Sequence, residues 1–425
     1  MRKIPHLRWW IITLIFFASV LNYIDRQALS ILAPTIQREL QLTNEDYAAV
    51  LNWFLVAYTL SYLVSGRIVD KFGVRIGLAL FVGWWSVANV LTGFARSAAS
   101  LGGFRFMLGL GEAGNWTAAP KAVSEWFPAR ERGVAIGAYT LGGTIGATIA
   151  PILIIGLASW HSWQAAFVVT GLAGLLWLIP WLWLYRQPAQ HPRLTETERA
   201  TLAEDTAAEL AASGGDVAAW GRWWQFFGHR EVWLLMLGRM LTDPVWYFFQ
   251  FWFAKYLYDG RGVDQQSLSV TWIIFLAADI GALAGGWFSG RLIKRRVTPP
   301  ASRLWIMLGC AVLVPVAALI PSIDALWLVL ALGMIAVFAH MSWLINLSAL
   351  LVDRVPKAAL ATVFGFVAAG SSLGGIAMNK AVGAIVTQHS YAPAFYLMAI
   401  LHPMALLLLW PLRRPVLRAL RPALS

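Results

Sequence analysis

The chain has 425 residues, 59% of them hydrophobic and only 13% charged, with a mean hydropathy of +0.64. That is more apolar surface than a soluble domain of this length needs, so the composition excludes an ordinary soluble fold and points to life in lipid. A net charge of +12 would suit a polyanionic partner only if the positive residues were not sorted by side of a membrane.

Met1 to Arg8 is basic, but the apolar run behind it is long and lacks a small-residue cleavage site, so no cleaved leader is expected. Runs of roughly 18 to 25 apolar residues, enough to cross a hydrocarbon core about 30 Å thick, recur along the chain. They begin near Trp9, Tyr47, Ile76, Leu101, Gly133, Trp163, Val232, Leu268, Leu304, Leu326, Ala358 and Pro393, which predicts twelve transmembrane helices. Glycine and proline within them are ordinary where neighbouring helices satisfy the backbone, and twelve such runs exclude a barrel. The single cysteine, Cys310, falls in an apolar run, so no intramolecular disulfide is possible.

Span one, WWIITLIFFASVLNYIDRQALSILAP, places Asp25 and Arg26 in the membrane. Each charge there costs at least a few kcal/mol and must face protein or water. Span four carries Arg105, and two turns deeper Glu112. Seven residues at 3.6 per turn leave both on nearly one face, with Arg105 at a depth similar to Asp25 and Arg26. In span five, Gly142, Gly143 and Gly146 allow close helix approach. Span seven, DPVWYFFQFWF, offers an aromatic wall with Gln250 embedded, suited to sugar rings and hydroxyls, and places Asp243 near the inner end as a gate or cap. Asp279 in span eight is a possible second coupling acid or a helix-pairing residue. His340, Ser342 and Asn346 in span ten, and Ser371, Ser372 and Asn379 in span eleven, are candidates for hydroxyl contact, although a lone buried histidine such as His340 is more often a satisfied structural one. Lys380 falls toward the outer mouth.

Basic residues sort by side. With the N-terminus inside, about 25 Lys and Arg fall on the cytoplasmic side, including Arg67, Lys71, Arg75, Arg130, Arg222, Lys357, Arg414, Arg418 and Arg421, against Arg38, Arg96, Lys255 and Arg261 outside. This positive-inside pattern places both termini in the cytoplasm and removes the reason to expect nucleic acid. The polar stretch 187–229 reads as a cytoplasmic linker, with a surface helix over Thr195 to Ala212 started by a capping box, since Glu198 follows Thr195 by three residues. It divides the spans six and six. GRIVDKFGVR (Gly66 to Arg75) and GGWFSGRLIKR (Gly285 to Arg295) align across it at an offset of 220, matching Gly66 with Gly286, Lys71 with Arg291 and Arg75 with Arg295. The expected fold is therefore an all-α membrane protein of two pseudo-symmetric six-helix bundles, 1–186 and 230–425. The positions matching the charged cluster, near Val245, Trp246, Ala325 and Leu332, are uncharged, so the symmetry is broken in the N-terminal half.

The loop G-x3-D-[RK]-x-G-x-[RK] between spans two and three, met in full by Gly66, Asp70, Lys71, Gly73 and Arg75, resembles the signature of the major facilitator superfamily. The second copy has Gly290 where the acid would stand. NYIDRQALS, RFMLGLGEAGNWTAAPKAVSEWFPARERG and HSWQAAF resemble the anion:cation symporter branch, nearest to bacterial transporters of hexuronates and related sugar acids, and the likeness covers essentially the whole chain. It implies a gating role for the five loop residues, proton coupling at Asp25 and Glu112, and grip on a substrate carboxylate by Arg26 and Arg105. It also implies that Tyr58, and similarly Tyr23, face substrate.

The charges support a mechanism of their own. A substrate carboxylate and a protein carboxylate compete for the same guanidinium groups; when the substrate takes one, the displaced acid loses its countercharge and picks up a proton. Glu112 is preferred over Asp25 as that acid, since Asp25 has Arg26 beside it. The expectation is a secondary transporter, a monomer in the bacterial inner membrane, importing a hexuronate or hexonate with protons by alternating access, its partners being that anion, protons and lipid. Anion exchange on the same fold and a non-transporting receptor for sugar acids remain alternatives. No enzyme, cofactor or metal chemistry is expected: there is no GxxxxGK[ST] loop or metal-spaced His/Cys cluster, and the GLGEAG run, Gly109 to Gly114, follows no strand.

Overall fold

The computed structural model describes residues 3–202, 228–354, 360–388 and 390–413. Among them there are helices and no strand. Twelve rods follow one another: α1 Leu7–Leu40, α2 44–72, α3 74–92, α4 Ala98–Trp126, α5 Ala129–Trp160 and α6 Trp163–Leu184. After the linker come α7 Arg230–Phe251, α8 Trp272–Lys294, α9 Pro299–Leu313, α10 Leu326–Arg354, α11 Leu360–Gln388 and α12 Ala392–Leu409. Short helical pieces extend α7 (Phe253–Arg261) and α9 (Val314–Ser322). The all-helical, twelve-rod architecture expected from the apolar runs is what the chain forms.

Sequence-local chemistry sets several ends. The Thr43 hydroxyl accepts from Asp46 N at 3.0 Å while the Asp46 carboxylate accepts from Thr43 N at 2.9 Å, starting α2. Ser97 and Ser100 form the reciprocal pair that starts α4, and Ser162 accepts from Ala165 N to start α6. Gly73, at φ 75° and ψ 161°, separates α2 from α3, a conformation that a side chain would strain. Prolines 34, 120, 151, 180, 244 and 403 all lie inside helices, as a membrane bundle tolerates.

Among the described residues, eight helices are long and apolar enough, by length and composition alone, to cross a membrane. Most of α2 and all of α4, α7 and α11 fall outside those eight, and these four rods carry most of the polar candidates. Tyr58, Arg105, Glu112, Asp243, Gln250, Ser371, Ser372 and Asn379 on these rods are buried against protein. Outward-facing Trp10, Phe17, Leu176, Ile179, Leu283 and Leu407 are each at least half exposed, as lipid-facing side chains would be.

The described chain forms two compact units. One takes in the residues up to Leu42 and resumes at Trp53; the other holds Thr43–Asn52 and the helices from α7 on. In the first, α5 lies so close to α1 that a Cβ at Gly146 would stand 2.5 Å from the Val20 carbonyl. In the second, α10 is tied to α8 by Ser342 Oγ donating to Gly281 O at 2.6 Å and Asn346 Nδ2 donating to Gly285 O at 3.1 Å. These bonds use the hydroxyl hydrogen of Ser342 and the amide hydrogens of Asn346, while Asn346 Oδ1 has no hydrogen-bond partner.

One half of the linker's expected capping box forms: Glu198 N donates to Thr195 Oγ1 at 3.3 Å, while the Glu198 carboxylate accepts from the Thr195 hydroxyl at 3.1 Å, and the helix runs through Leu202. Its expected continuation to Ala212 lies outside the described residues, as do Arg222, Lys357, Arg414, Arg418 and Arg421. Before it, His191 is tucked under the end of α6. Its Nε2–H donates to Leu184 O at 2.9 Å, its Nδ1 accepts from Arg193 N at 3.2 Å, and its ring lies edge-on to Trp126.

Candidate functional site

The charged residues of α1 and α4 meet inside the first unit. Residues 22 and 26 stand four apart on α1 and share the face toward α4, whereas Asp25 points about 100° away from Arg26 and takes other partners. Arg26 reaches α4, where its Nε and Nη2 each lie 2.8 Å from Glu112 Oε2. Asn22 braces both members of this pair, accepting from Arg26 Nη2 at 3.4 Å and donating to Glu112 O at 3.3 Å. Glu112 is fully buried and its Oε1 has no hydrogen-bond partner. The Arg26 guanidinium also lies over the rings of Tyr58 at 4.8 Å, Tyr23 at 4.9 Å and Phe54 at 5.4 Å.

Arg105 sits one layer away and is fully buried. Its Nη1 donates to Asp25 O at 3.3 Å and its Nη2 to Arg26 O at 3.2 Å, so one guanidinium spans two successive carbonyls of α1. A planar fork holds both bonds in one fixed geometry, which an ammonium on a flexible stem does not. Proximity in sequence suggested that Arg26 neutralises Asp25, but the geometry differs. Asp25 Oδ1 accepts from Asn89 Nδ2 of α3 at 2.7 Å, and Asn89 Nδ2 lies 2.8 Å from Thr170 Oγ1 of α6. Consecutive residues on a helix point about 100° apart, so Asp25 and Arg26 face different neighbours. The two acids thus occupy distinct surroundings: Glu112 beside a cation, Asp25 beside an amide and a hydroxyl.

Tyr23 packs edge-on to Trp116 at 6.1 Å, and the Tyr58 hydroxyl lies 3.3 Å from that of Tyr62. The two rings belong to α1 and α2, yet both stand against the Arg26 guanidinium. The structure therefore brings Tyr23, Arg26, Tyr58 and Glu112 together, with Arg105 fixing the α1 backbone next to them.

In the second unit the sequence candidates are more dispersed. Gln250 is buried and its Nε2 has no hydrogen-bond partner. Ser371 lies 3.3 Å from the Tyr247 hydroxyl, and Ser372 is buried on the same helix. Asn379 accepts from Trp252 Nε1 at 3.0 Å and donates to Asn52 Oδ1 at 3.2 Å. Asp279 is half-buried on α8, and Lys380 is exposed on α11. Asp243 is not a cap near the inner end: it stands thirteen residues into α7, roughly 20 Å along the helix, where Arg239 Nε donates to its Oδ2 at 2.8 Å. Because of this pair the second unit is not free of membrane charge, although the positions aligned with Asp25 and Arg26 are. Nor is His340 alone, since its Nδ1 lies 3.2 Å from His402 Nε2.

The loop motif is engaged on the side of the first unit where α2 gives way to α3. Lys121 of α4 pairs with Asp70 at 2.6 Å, and Arg75 donates to Leu182 O while its own carbonyl accepts from Trp181 Nε1 at 2.9 Å. Lys71 lies over the Phe72 ring at 5.5 Å. A Cβ at Gly66 would meet open space, so packing does not require glycine there.

Asn89, Thr170, Arg239 and His402 were missed by sequence reasoning. Arg239 and Asp243 stand four residues apart in GRMLTDP, a spacing that announces a pair on one helix face. The other three are single polar residues in apolar runs, and only helix packing reveals what they touch.

The chain matches the family model described as Major Facilitator Superfamily over residues 15–378. It is 31% identical over 419 residues to a hexuronate transporter of Escherichia coli strain K12, covering 96% of this chain and 95% of that one. It is 34% identical over 289 residues to a galacturonate transporter of Dickeya chrysanthemi, covering 68% of this chain and 83% of that one. Among solved structures, the inward open xylose transporter of E. coli superposes with a TM-score of 0.74 at 14% identity, covering 97% and 98% of the two chains. An inward-facing bacterial homolog of the human lysosomal transporter Spinster gives 0.72 at 19%, covering 97% and 96%.

Proposed function

Because the chain belongs to the major facilitator superfamily, we propose that it is a multi-pass transporter that imports a sugar acid of the hexuronate or hexonate class by proton symport. The observation that carries the reading is the buried Arg26–Glu112 pair with Tyr23 and Tyr58 against the same guanidinium. A carboxylate substrate would claim the Arg26 guanidinium, which a protein carboxylate already holds, with Arg105 as a second cation beside the same Phe54 ring. Substrate binding displaces Glu112, which loses its countercharge in a water-poor site and takes a proton; anion and proton then cross together. Arg105 positions the α1 backbone that presents Arg26, and the aromatic faces suit the apolar faces of a sugar ring. Gln250, Ser371, Ser372 and Asn379 supply hydroxyl contacts, and Asp25 is a second site for the coupled proton.

The hexuronate, galacturonate and galactonate specificities of the relatives support this substrate class. In this reading transport proceeds by alternating access, with Gly66, Asp70, Lys71, Gly73 and Arg75 gating the inner side. The protein works as a monomer in the bacterial inner membrane with both termini in the cytoplasm.

Counterflow tests the substrate assignment without requiring a gradient. Proteoliposomes loaded with unlabelled galacturonate should take up labelled galacturonate, and Arg26→Ala should abolish that uptake. Exchange that continues unchanged in the variant would remove Arg26 from the site.

A further inference from the structure

The second unit holds a buried ionisable cluster that the substrate reading does not use. His340 of α10 and His402 of α12 are both fully buried, with Nδ1 of the first 3.2 Å from Nε2 of the second. The indole of Trp246 lies parallel to the His340 ring, and Trp343 stands edge-on to His402. His340 Nε2 and His402 Nδ1 have no hydrogen-bond partner. Asp243 stands one turn before Trp246 on α7, and its Oδ1 is likewise buried and unpartnered while Oδ2 holds Arg239.

Whichever ring donates the shared hydrogen, a neutral histidine pair has one bare outer nitrogen and one outer N–H. Two imidazoles used only to tie helices together would leave both outer groups unsatisfied, which costs roughly 1–3 kcal/mol each. A pair that passes protons needs that asymmetry. We propose that Asp243, His340 and His402 form a second proton-transfer site in the C-terminal bundle, serving the proton-coupled transport inferred above and resting on that reading. A proton binds the bare outer nitrogen, the shared hydrogen crosses the 3.2 Å gap, and the outer N–H of the other ring releases its proton. One proton enters and one leaves, each ring ends as the opposite tautomer, and transfer in the reverse direction restores the start. Asp243, with Oδ1 open, is the acceptor or donor on the α7 side.

Asp243 and Arg239 of α7 are the charged groups whose fields act on His340, while His402 feels His340. The charged residues of the other helices around the pair are Asp279, Arg291 and Lys294 on α8, Arg303 on α9, Asp353 and Arg354 on α10 and Lys380 on α11; α12 has none within Ala392–Leu409. Arg303 is engaged with Asp353 and Ser289.

The test compares wild type with His340→Gln, His402→Gln and Asp243→Asn in proteoliposomes, reading counterflow, gradient-driven accumulation and the proton-to-substrate ratio from reversal potentials. The expected result is counterflow within about twofold of wild type and a ratio lower by one, seen as roughly tenfold less accumulation per pH unit of gradient. An unchanged ratio and pH profile in the histidine variants would overturn the site while leaving the transport reading intact. A wild type that moves sugar acid with no proton would overturn both. Should the variants fail to fold, 15N NMR of histidine-labelled wild type decides. Ring-nitrogen signals of both residues should move together with pH and substrate, and signals fixed across pH 5 to 8 would refute transfer.

Discussion

Glu112→Gln isolates the competition at Arg26. The side chain keeps its length, and its amide oxygen still accepts from Arg26 Nε, but the negative charge 2.8 Å from the guanidinium disappears. An ion pair at about 4 Å charge separation is worth about 4 kcal/mol at an effective dielectric near 20. A substrate carboxylate has to displace that attraction in the wild type and not in the variant. If one third of it survives the accompanying solvation changes, binding tightens by about 1.4 kcal/mol, or tenfold. The pH dependence follows. In the wild type, protonating Glu112 frees Arg26, so affinity rises as pH falls; in the variant affinity should be high and flat. Titration calorimetry with galacturonate from pH 5.5 to 8 reads both, and a melting temperature shows whether the uncompensated Arg26 has destabilised the fold, since breaking a buried pair costs up to 3–5 kcal/mol. Counterflow should persist while gradient-driven accumulation is lost. A variant whose affinity keeps the wild-type pH dependence would show that Glu112 does not gate the substrate's access to Arg26.

Arg105→Lys should abolish substrate binding and lower stability by roughly 1–3 kcal/mol, because an ammonium does not reproduce the fixed two-nitrogen fork on the Asp25 and Arg26 carbonyls; unchanged affinity in the purified variant would refute the positioning role. Gly146→Ala should cost about 1–3 kcal/mol by pushing α5 off the Val20 carbonyl, whereas Gly137→Ala, facing open space, should be neutral; equal melting temperatures would contradict the packing account. Burial holds the His191 imidazole below its ordinary value of 6.5, and its Nδ1 already accepts from Arg193 N. The folded segment therefore binds fewer protons than the unfolded one. Its stabilisation is present above about pH 6.5 and lost as pH falls below that value. Limited proteolysis near Arg193 should accelerate between pH 7.5 and 5.5 in wild type; cleavage independent of pH would show that His191 is not the sensitive group.

The fold was legible because lipid imposes a coarse rule: apolar runs of fixed length, basic residues sorted between loops, and one repeated loop are visible in a single sequence. Asp25, Arg26, Arg105 and Glu112 stood out for the same reason, each being expensive where it lies. Pairing was less legible. Asp25 and Arg26 are adjacent in sequence, yet the helix turns them toward α3 and α4 respectively, and no count of residues identifies Asn89 as the partner of one and Glu112 of the other. Depth also misled. A span beginning near Val232 already carries Asp243 about three turns in, and α7, starting at Arg230, holds it at mid-helix rather than near the inner end. His340 looked solitary since its partner is 62 residues away on a helix otherwise almost devoid of polar groups.

The central claim is that anion and proton cross together. Uptake of labelled glucuronate, galacturonate and galactonate into proteoliposomes, with and without an inward proton gradient, tests it most directly. The account predicts accumulation of at least one above its external concentration only when the gradient is imposed, with alkalinisation of the medium in step. Entry of all three merely to equilibrium, with no proton movement, would contradict it.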